Sequence, residues 1–192
     1  MSATNRGAKR VESDFYATPI ECISNFLANT DYIKPGDYIL EPSAGNGNII
    51  KAIRAAGFNN HITAIEIRYE EFFNLMNCAD KVGIFDFLVE KDIRTYDVII
   101  GNPPYSLAQE FIDKSLSLLK PGGRLIFLLR TNFLESKKRR EWWQDKLPSG
   151  LFVCSSRPSF TGKGTDSTSY SWFVWEKLLQ TDRQLGLFKE GA

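Results

Sequence analysis

The sequence predicts an α/β protein with a doubly wound, mostly parallel sheet of seven strands. Short apolar segments of strand length alternate along the chain with segments whose apolar residues recur at helical spacing. One strand segment, residues 124–130 (RLIFLLR), is apolar on both faces, as expected where helices cover each side of a parallel sheet. The last two strand segments have no helix between them, so one of the two is expected to run antiparallel.

The first half of the chain contains three predicted strands and three predicted helices. The first helix follows Thr18-Pro19, because apolar residues from Ile20 to Leu27 recur three and four positions apart. After the first helix, the predicted segments are a strand at 37–40, a helix at 49–56, a strand at 61–67, a helix at 69–77 and a strand at 82–85. Gly57 is expected to end the helix at 49–56.

The second half begins with a strand at 97–100 that runs into the residues GNPPY. Ser106 and Gln109 are spaced as a capping box, which predicts that the next helix starts there. The residues KPGG at 120–123 are expected to end that helix and to turn the chain into the strand 124–130. The remaining predicted segments are a polar helix at 136–146 and strands at 151–154 and 170–176.

The composition is that of a globular protein of one ordinary domain. Of the 192 residues, 43% are hydrophobic and 24% are charged. No apolar run is long enough to cross a bilayer, and the N-terminus lacks the apolar region of a secretion signal. The three cysteines are far apart in sequence and match neither a disulfide framework nor a zinc cluster, which favours reduced core thiols, a cytoplasmic location and no metal. We expect a mobile arm at 1–13, one domain at 14–180 and a tail at 181–192.

Charge is distributed unevenly along a chain whose net charge is only +1. Six basic residues lie between positions 124 and 140, and Glu135 is the one acidic residue there. This segment is either a surface that contacts phosphates or an ordinary solvated helix face, and charge alone leaves both interpretations open.

A glycine-containing turn follows the first predicted strand, at residues 41–47 (EPSAGNG). Glycines at such a turn allow the backbone to approach a ligand, and the amides of the next helix face that ligand. A dinucleotide-binding fingerprint would require a third glycine at position 50, where this chain has Ile50. The turn therefore suits a nucleoside ligand without a pyrophosphate, or else it is a tight turn that binds nothing.

Two acidic residues follow the next strands. Glu66 lies about 20 residues after the glycine turn, where a carboxylate can accept hydrogen bonds from both hydroxyls of a ribose. Asp86 follows the third strand and is a candidate contact for an adenine amino group, with Phe85 or Phe87 against the ring. The alternative for Asp86 is an exposed loop residue without a ligand.

The residues GNPPY at 101–105 suggest a reaction site. The Asn102 side-chain oxygen and the Pro103 carbonyl can both accept hydrogen bonds from one exocyclic amino group, which keeps the nitrogen lone pair out of the ring. Pro103 and Pro104 hold these acceptors rigidly, so little reorganisation is needed during a reaction. Tyr105 can stack on the flat face of a base.

The order EPSAGNG, AIEI, FDF and GNPPY resembles the S-adenosylmethionine-dependent adenine-N6 DNA methyltransferases, in particular small phage-type members. The segments DFYATP (14–19), RPSF (157–160) and SYSWFVWEK (169–177) extend the resemblance. It implies a Rossmann-like methyltransferase fold, S-adenosylmethionine as cofactor, and methyl transfer to adenine N6 in DNA inside a bacterial or phage-infected cell. In cytosine-N4 members Ser more often replaces the Asn, so Asn102 favours adenine.

The resemblance also implies roles for individual residues. Catalysis is assigned to Asn102, Pro103, Pro104 and Tyr105. The expected cofactor contacts are Phe15, Tyr16, Thr18, Glu41, Ser43, Gly45, Gly47, Glu66, Ile67, Asp86, Phe87 and Asn102. The expected contacts with the target base and the DNA are Tyr105, Phe160, Lys138, Arg139 and Arg140. A homodimer, an RNA substrate and a non-catalytic nucleoside- or DNA-binding module of the same fold stay open as alternatives.

Overall fold

The computed structural model describes residues 17–160 and 168–177, which form seven strands and five α-helices around one sheet. The strands are β1 Tyr38–Glu41, β2 His61–Glu66, β3 Lys81–Ile84, β4 Tyr96–Gly101, β5 Leu119–Arg130, β6 Gly150–Val153 and β7 Tyr170–Glu176. The helices are α1 Ile20–Ala28, α2 Asn48–Ala55, α3 Phe72–Met76, α4 Ala108–Ser117 and α5 Arg140–Lys146. No helix in these two ranges is both long and apolar enough to cross a membrane.

The sheet has the strand order β3-β2-β1-β4-β5-β7-β6. β1 to β5 pair in parallel, whereas β7 runs antiparallel to both β5 and β6. The predicted fold class and the one antiparallel strand are therefore confirmed. The strand order reverses between β1 and β4, because β1 pairs with β2 on one side and with β4 on the other.

Helices cover both faces of the sheet, and the pleat divides the strand side chains between two core layers. In β1, Ile39 packs into the layer of α1 and α2, while Leu40 packs into the layer of α4 and α5. The second layer includes Trp143 of α5, whose side chain is 0% exposed. Trp143 therefore packs α5 against the sheet.

Both predicted boundaries of α4 are wrong. A 3₁₀ turn at Tyr105–Leu107 extends the GNPPY corner, so α4 begins at Ala108 and no side-chain hydrogen bond caps it. Residues 120–123 do not end a helix. They lie in β5, where they form a bulge in its pairing with β4. Gly122 adopts φ +74° in this bulge, and its backbone amide donates a hydrogen bond to the Lys177 carbonyl.

Candidate active site

The carboxyl ends of β1 and β4 lie side by side where the strand order reverses. Glu41 ends β1 and Gly101 ends β4, so the glycine turn and the GNPPY corner leave the sheet as neighbours. The Ser43 hydroxyl donates a hydrogen bond to the Asn102 backbone carbonyl over 3.4 Å and joins the two segments directly. Two of the sequence motifs thus meet at the position where doubly wound sheets bind ligands.

The glycine turn depends on two positive backbone angles. Gly45 has φ +53° and Gly47 has φ +78°, in the region that favours glycine. A Cβ atom on Gly47 would also lie 2.8 Å from the Cys78 Sγ and 3.3 Å from a Leu75 methyl carbon. The close approach that makes glycine necessary at position 47 is therefore to the segment around α3, and not only to a ligand as the sequence suggested.

Glu66 ends β2 beside this turn and is almost fully buried. One carboxyl oxygen, Oε2, accepts a hydrogen bond from the Gly45 amide over 2.7 Å. The other, Oε1, accepts from the Ile67 and Arg68 amides and from the Arg68 Nε, over 3.0 to 3.1 Å. A carboxylate offers about four acceptor positions, so Oε2 retains capacity for a further donor such as a hydroxyl.

Glu41 is a second buried carboxyl group at the same edge of the sheet, with 2% of its surface exposed. Among the described residues its Oε2 atom has no hydrogen-bond partner. Burial, followed by the negative charge of Glu66, raises the pKa of Glu41 well above its ordinary value, and the Ile50 amide opposes this shift only in part. A cationic group beside Glu41 would therefore be stabilised by an otherwise unbalanced buried carboxylate.

The candidate cofactor contacts after β2 and β3 differ in their exposure. Ile67 is 58% exposed directly after Glu66 and offers an apolar surface. Phe87 is buried, and its ring packs 5.1 Å from the Phe111 ring in the core, so a contact with a ligand would have to come from its backbone. Phe85 is the partly exposed aromatic residue there, and its ring lies over Gly83. Asp86 is half-buried and accepts a hydrogen bond from the Leu88 amide.

The GNPPY corner is held from two sides. Besides the bond from Ser43, the Asn102 side-chain nitrogen Nδ2 donates to the Thr18 hydroxyl over 3.1 Å. Thr18 is buried, and its carbonyl accepts a hydrogen bond from the Asn48 side chain at the start of α2. Thr18, predicted as a cofactor contact, thus touches both the amide group of the corner and the helix after the glycine turn.

Tyr105 lies in a group of aromatic and basic side chains. Its ring centroid is 5.8 Å from that of Tyr170, and the Phe160 ring meets Tyr170 edge-on at 4.9 Å. The Arg130 guanidinium carbon lies 5.0 Å from the Tyr105 ring centroid. Burial and the Tyr170 hydroxyl raise the pKa of Tyr105 well above its ordinary value, against the opposing effect of Arg130. The phenol therefore stays neutral at physiological pH.

Arg130 is a site residue that the sequence motifs did not identify. It ends β5, next to β4 in the sheet, and its side chain is exposed. A cation within about 6 Å of an aromatic ring face is attracted by the ring quadrupole. Arg130 lies at the end of a buried strand, as the other strand-end motifs do. This position was the one sequence feature that could have indicated it.

The basic segment divides into exposed and structural residues. Lys138 and Arg140 are exposed, as a phosphate-contact surface requires. The half-buried Arg139 instead donates two hydrogen bonds to the Phe133 carbonyl, over 3.2 and 2.7 Å, and its guanidinium stacks on the Phe133 ring. Phosphate contact therefore remains a prediction for Lys138 and Arg140, while the observed contacts of Arg139 are within the protein.

Some of the predicted segments and site residues lie outside residues 17–160 and 168–177. Phe15, Tyr16, the arm at 1–13 and the tail at 181–192 lie outside. Cys22 and Cys154, distant in sequence, have their Sγ atoms 3.5 Å apart as free, half-buried thiols. Within residues 17–160 and 168–177, no group of three or more His, Cys, Asp or Glu side chains is arranged to hold a metal ion.

Comparison with known proteins identifies type II methyltransferases as relatives. The type II methyltransferase M.TthHB8I of Thermus thermophilus is 26% identical over 166 residues, covering 69% of this chain and 37% of that protein. The type II methyltransferase M.HincII of Haemophilus influenzae is 28% identical over 160 residues, covering 68% of this chain and 30% of that protein. This chain therefore spans about a third of the length of the curated relatives it matches. No protein-family model matches it.

Solved structures share the fold. A Listeria monocytogenes protein assigned to the class I S-adenosylmethionine-dependent methyltransferases superposes with a TM-score of 0.64. The two are 16% identical, and the superposition covers 90% of this chain and 63% of that one. The predicted Rossmann-like methyltransferase fold is thereby confirmed. The type II methyltransferase relatives confirm the resemblance to methyltransferases.

Proposed function

We propose that this chain transfers a methyl group from S-adenosylmethionine to the exocyclic N6 of an adenine in DNA. The observation that carries the proposal is the meeting of two motifs at the switch point: the buried carboxyl groups of Glu41 and Glu66 lie on the same edge as the Asn102-Pro103-Pro104-Tyr105 corner. The type II methyltransferase relatives support the same reaction class and a DNA substrate.

The residues at the ends of β1 and β2 fit S-adenosylmethionine. When bound, this cofactor supplies an electrophilic methyl group on a positively charged sulfur. Glu41 suits its ammonium group, because the carboxyl is buried and its Oε2 atom has no hydrogen-bond partner among the described residues. Glu66 suits its ribose, since Gly45 and Arg68 orient the carboxyl while Oε2 retains acceptor capacity. The exposed Ile67 suits one face of the adenine ring.

The corner would receive the target amino group. The Asn102 side-chain oxygen and the Pro103 carbonyl would accept its two hydrogens and keep the nitrogen lone pair available for attack. Proline at 103 and 104 limits backbone motion, so the acceptors need little rearrangement as charge develops. Direct transfer of this kind depends on positioning and requires no covalent intermediate with the protein.

Tyr105 would act as a stacking surface and not as a base. Its raised pKa keeps the hydroxyl protonated throughout the physiological range. A ring beside a flipped base contributes about 1–3 kcal/mol in comparable stacks. Arg130 now lies beside this ring, so we expect its side chain to move or to share the ring when a base enters.

DNA would approach the edge of the sheet that carries the corner, with its target base turned out of the stack. The exposed cations Lys138 and Arg140 follow β5 on the chain and are suited to phosphate contacts. Such contacts provide affinity without sequence selection, so recognition of a particular DNA site must come from other parts of the protein or from a partner.

The test is transfer of a labelled methyl group to duplex DNA, single-stranded DNA and RNA, followed by mass spectrometry of the nucleosides. We expect N6-methyladenosine in its deoxy form, and product only from DNA. Asn102→Ala should abolish transfer while calorimetry shows near-normal binding of S-adenosylmethionine. Labelling of RNA alone, or methylated cytosine as the product, would overturn the proposed substrate. Absence of cofactor binding by the wild-type protein would instead favour a non-catalytic module.

A further inference from the structure

We propose that Thr18 is a positioning residue that anchors the Asn102 side-chain amide at the corner. This inference rests on the proposed function and changes the role that the sequence suggested for Thr18, which was a contact with the cofactor. The geometry behind it is the hydrogen bond from Asn102 Nδ2 to Thr18 Oγ1, at 3.1 Å.

The two ends of a primary amide have nearly the same shape but opposite hydrogen-bonding character. An Asn102 amide rotated by half a turn would present its NH₂ group to the target amino group, and two donors would then face each other. The reaction requires the opposite orientation, with the oxygen as acceptor. In the structure the Thr18 hydroxyl oxygen accepts a hydrogen bond from Nδ2, so the amide is held at the corner with its oxygen end available to the substrate.

Thr18 is itself held firmly enough to serve as a reference point. Its side chain is 5% exposed, and its carbonyl accepts a hydrogen bond from the Asn48 side chain over 2.9 Å. The next residue, Pro19, caps α1, whose Ile23 is fully buried in the core. A displacement of the Asn102 side chain from the corner therefore breaks the bond, because the Thr18 side chain cannot follow it.

The contact also connects three separate segments of the site. Thr18 precedes α1, Asn48 begins α2 after the glycine turn, and Asn102 lies in the corner after β4. Asn102 and Thr18 are 84 positions apart in sequence, so neither motif alone indicates the pairing. The segment before α1 would thus contribute to catalysis by holding the Asn102 side chain in place.

Thr18→Val and Thr18→Ser separate this role from a cofactor contact. Valine keeps the shape and removes the acceptor, while serine keeps the hydroxyl. We expect Thr18→Val to lower kcat about 5-fold to 10-fold, the loss expected when one hydrogen bond no longer holds the amide in place. The KM for S-adenosylmethionine should stay within about twofold, and Thr18→Ser should restore most of kcat. Thr30→Val is the matched control, because the Thr30 hydroxyl bonds the Phe26 carbonyl at the far end of α1.

A second measurement does not depend on activity. In nitrogen-15 spectra, the Asn102 side-chain amide signal can be assigned by its loss in Asn102→Ala. Thr18→Val should shift that signal and speed its hydrogen exchange, while Thr18→Ser and Thr30→Val should leave it near its wild-type position.

The outcomes distinguish the two proposals. An unchanged kcat together with an unchanged amide signal in folded Thr18→Val would overturn the positioning role and leave the proposed function intact. A raised KM for S-adenosylmethionine with kcat unchanged would assign Thr18 to the cofactor instead. If the wild-type protein transfers no methyl group to DNA while the amide signal responds as expected, the contact stands and the proposed function fails. Thermal unfolding of each variant confirms that it is folded.

Discussion

Replacing Glu41 with glutamine is expected to stabilise the ligand-free protein at neutral pH and, in the same protein, to weaken its binding of S-adenosylmethionine. Glutamine has the shape of a protonated glutamate but never carries the negative charge. Glu41 is 2% exposed, and its Oε2 atom lacks a hydrogen-bond partner among the described residues, so its ionised form is poorly solvated. The substitution removes that cost.

The pH dependence of this stabilisation follows from the pKa of Glu41, which is raised above its ordinary value of 4.5. A carboxyl with a raised folded-state pKa contributes stability that is fully present below its unfolded pKa and is lost as pH rises towards the folded pKa. Each pH unit in that window removes up to about 1.4 kcal/mol from the wild-type free energy of unfolding. Glutamine does not titrate, so the advantage of Glu41→Gln should be near zero at pH 4.5 and should grow above it. Between pH 4.5 and pH 7 this slope limits the expected gain to about 3 kcal/mol.

Urea unfolding at pH 5, 6, 7 and 8 measures this difference, and the exposed Glu70→Gln is the matched control. Calorimetry on the same protein should show S-adenosylmethionine affinity reduced about 10-fold to 100-fold, because a hydrogen bond to a charged group is worth about 1.5–3 kcal/mol. A difference in unfolding free energy that does not change with pH would refute the assigned burial cost. Unchanged cofactor affinity would refute the pairing of Glu41 with the ammonium group.

Three further predictions concern other parts of the structure. Trp143→Ala should lower the unfolding free energy by about 3–5 kcal/mol in urea titrations, since its side chain is fully buried, and Trp143→Phe should cost less. Lys138→Ala and Arg140→Ala should each reduce the slope of log DNA affinity against log salt by about 1 in fluorescence titrations, whereas Arg139→Ala should lower stability and leave that slope unchanged. Tyr105→Phe should keep most of the transfer rate and show the same pH profile from pH 7 to 9, whereas Tyr105→Ala should weaken target-base binding by about 1–3 kcal/mol.

The alternation of strand and helix signals was sufficient to predict the sheet and its class, because binary patterning reflects which faces are buried. Boundaries were less predictable where tertiary pairing competes with local signals. Residues 120–123 read as a turn, yet the bonds between Gly122, Gly123 and Lys177 keep them in β5. Ser106 read as a helix cap, yet the corner continues through a 3₁₀ turn and α4 starts two residues later.

The site shows the same division. The motifs at the strand ends could be identified from the sequence, because the chemistry of the glycine, acidic and Asn-Pro-Pro-Tyr segments depends on residues that are adjacent in the chain. The sequence could not show whether the Phe87 side chain faces a ligand or the core, because this depends on its packing against Phe111. Arg139 is a second case, because its charge predicts a phosphate contact while the Phe133 carbonyl and ring occupy its guanidinium.

The sequence by itself determined the fold class, the order of the motifs and the chemical groups at the end of each strand, since these depend on residues close together in the chain. Only the tertiary structure decided which of those ends meet and how their side chains face. Glu41 is buried, Arg130 lies beside Tyr105, and Asn102 bonds Thr18. Each of these features depends on segments that are distant in the chain. Such contacts arise when the sheet and helices pack together, so no local pattern in the chain encodes them.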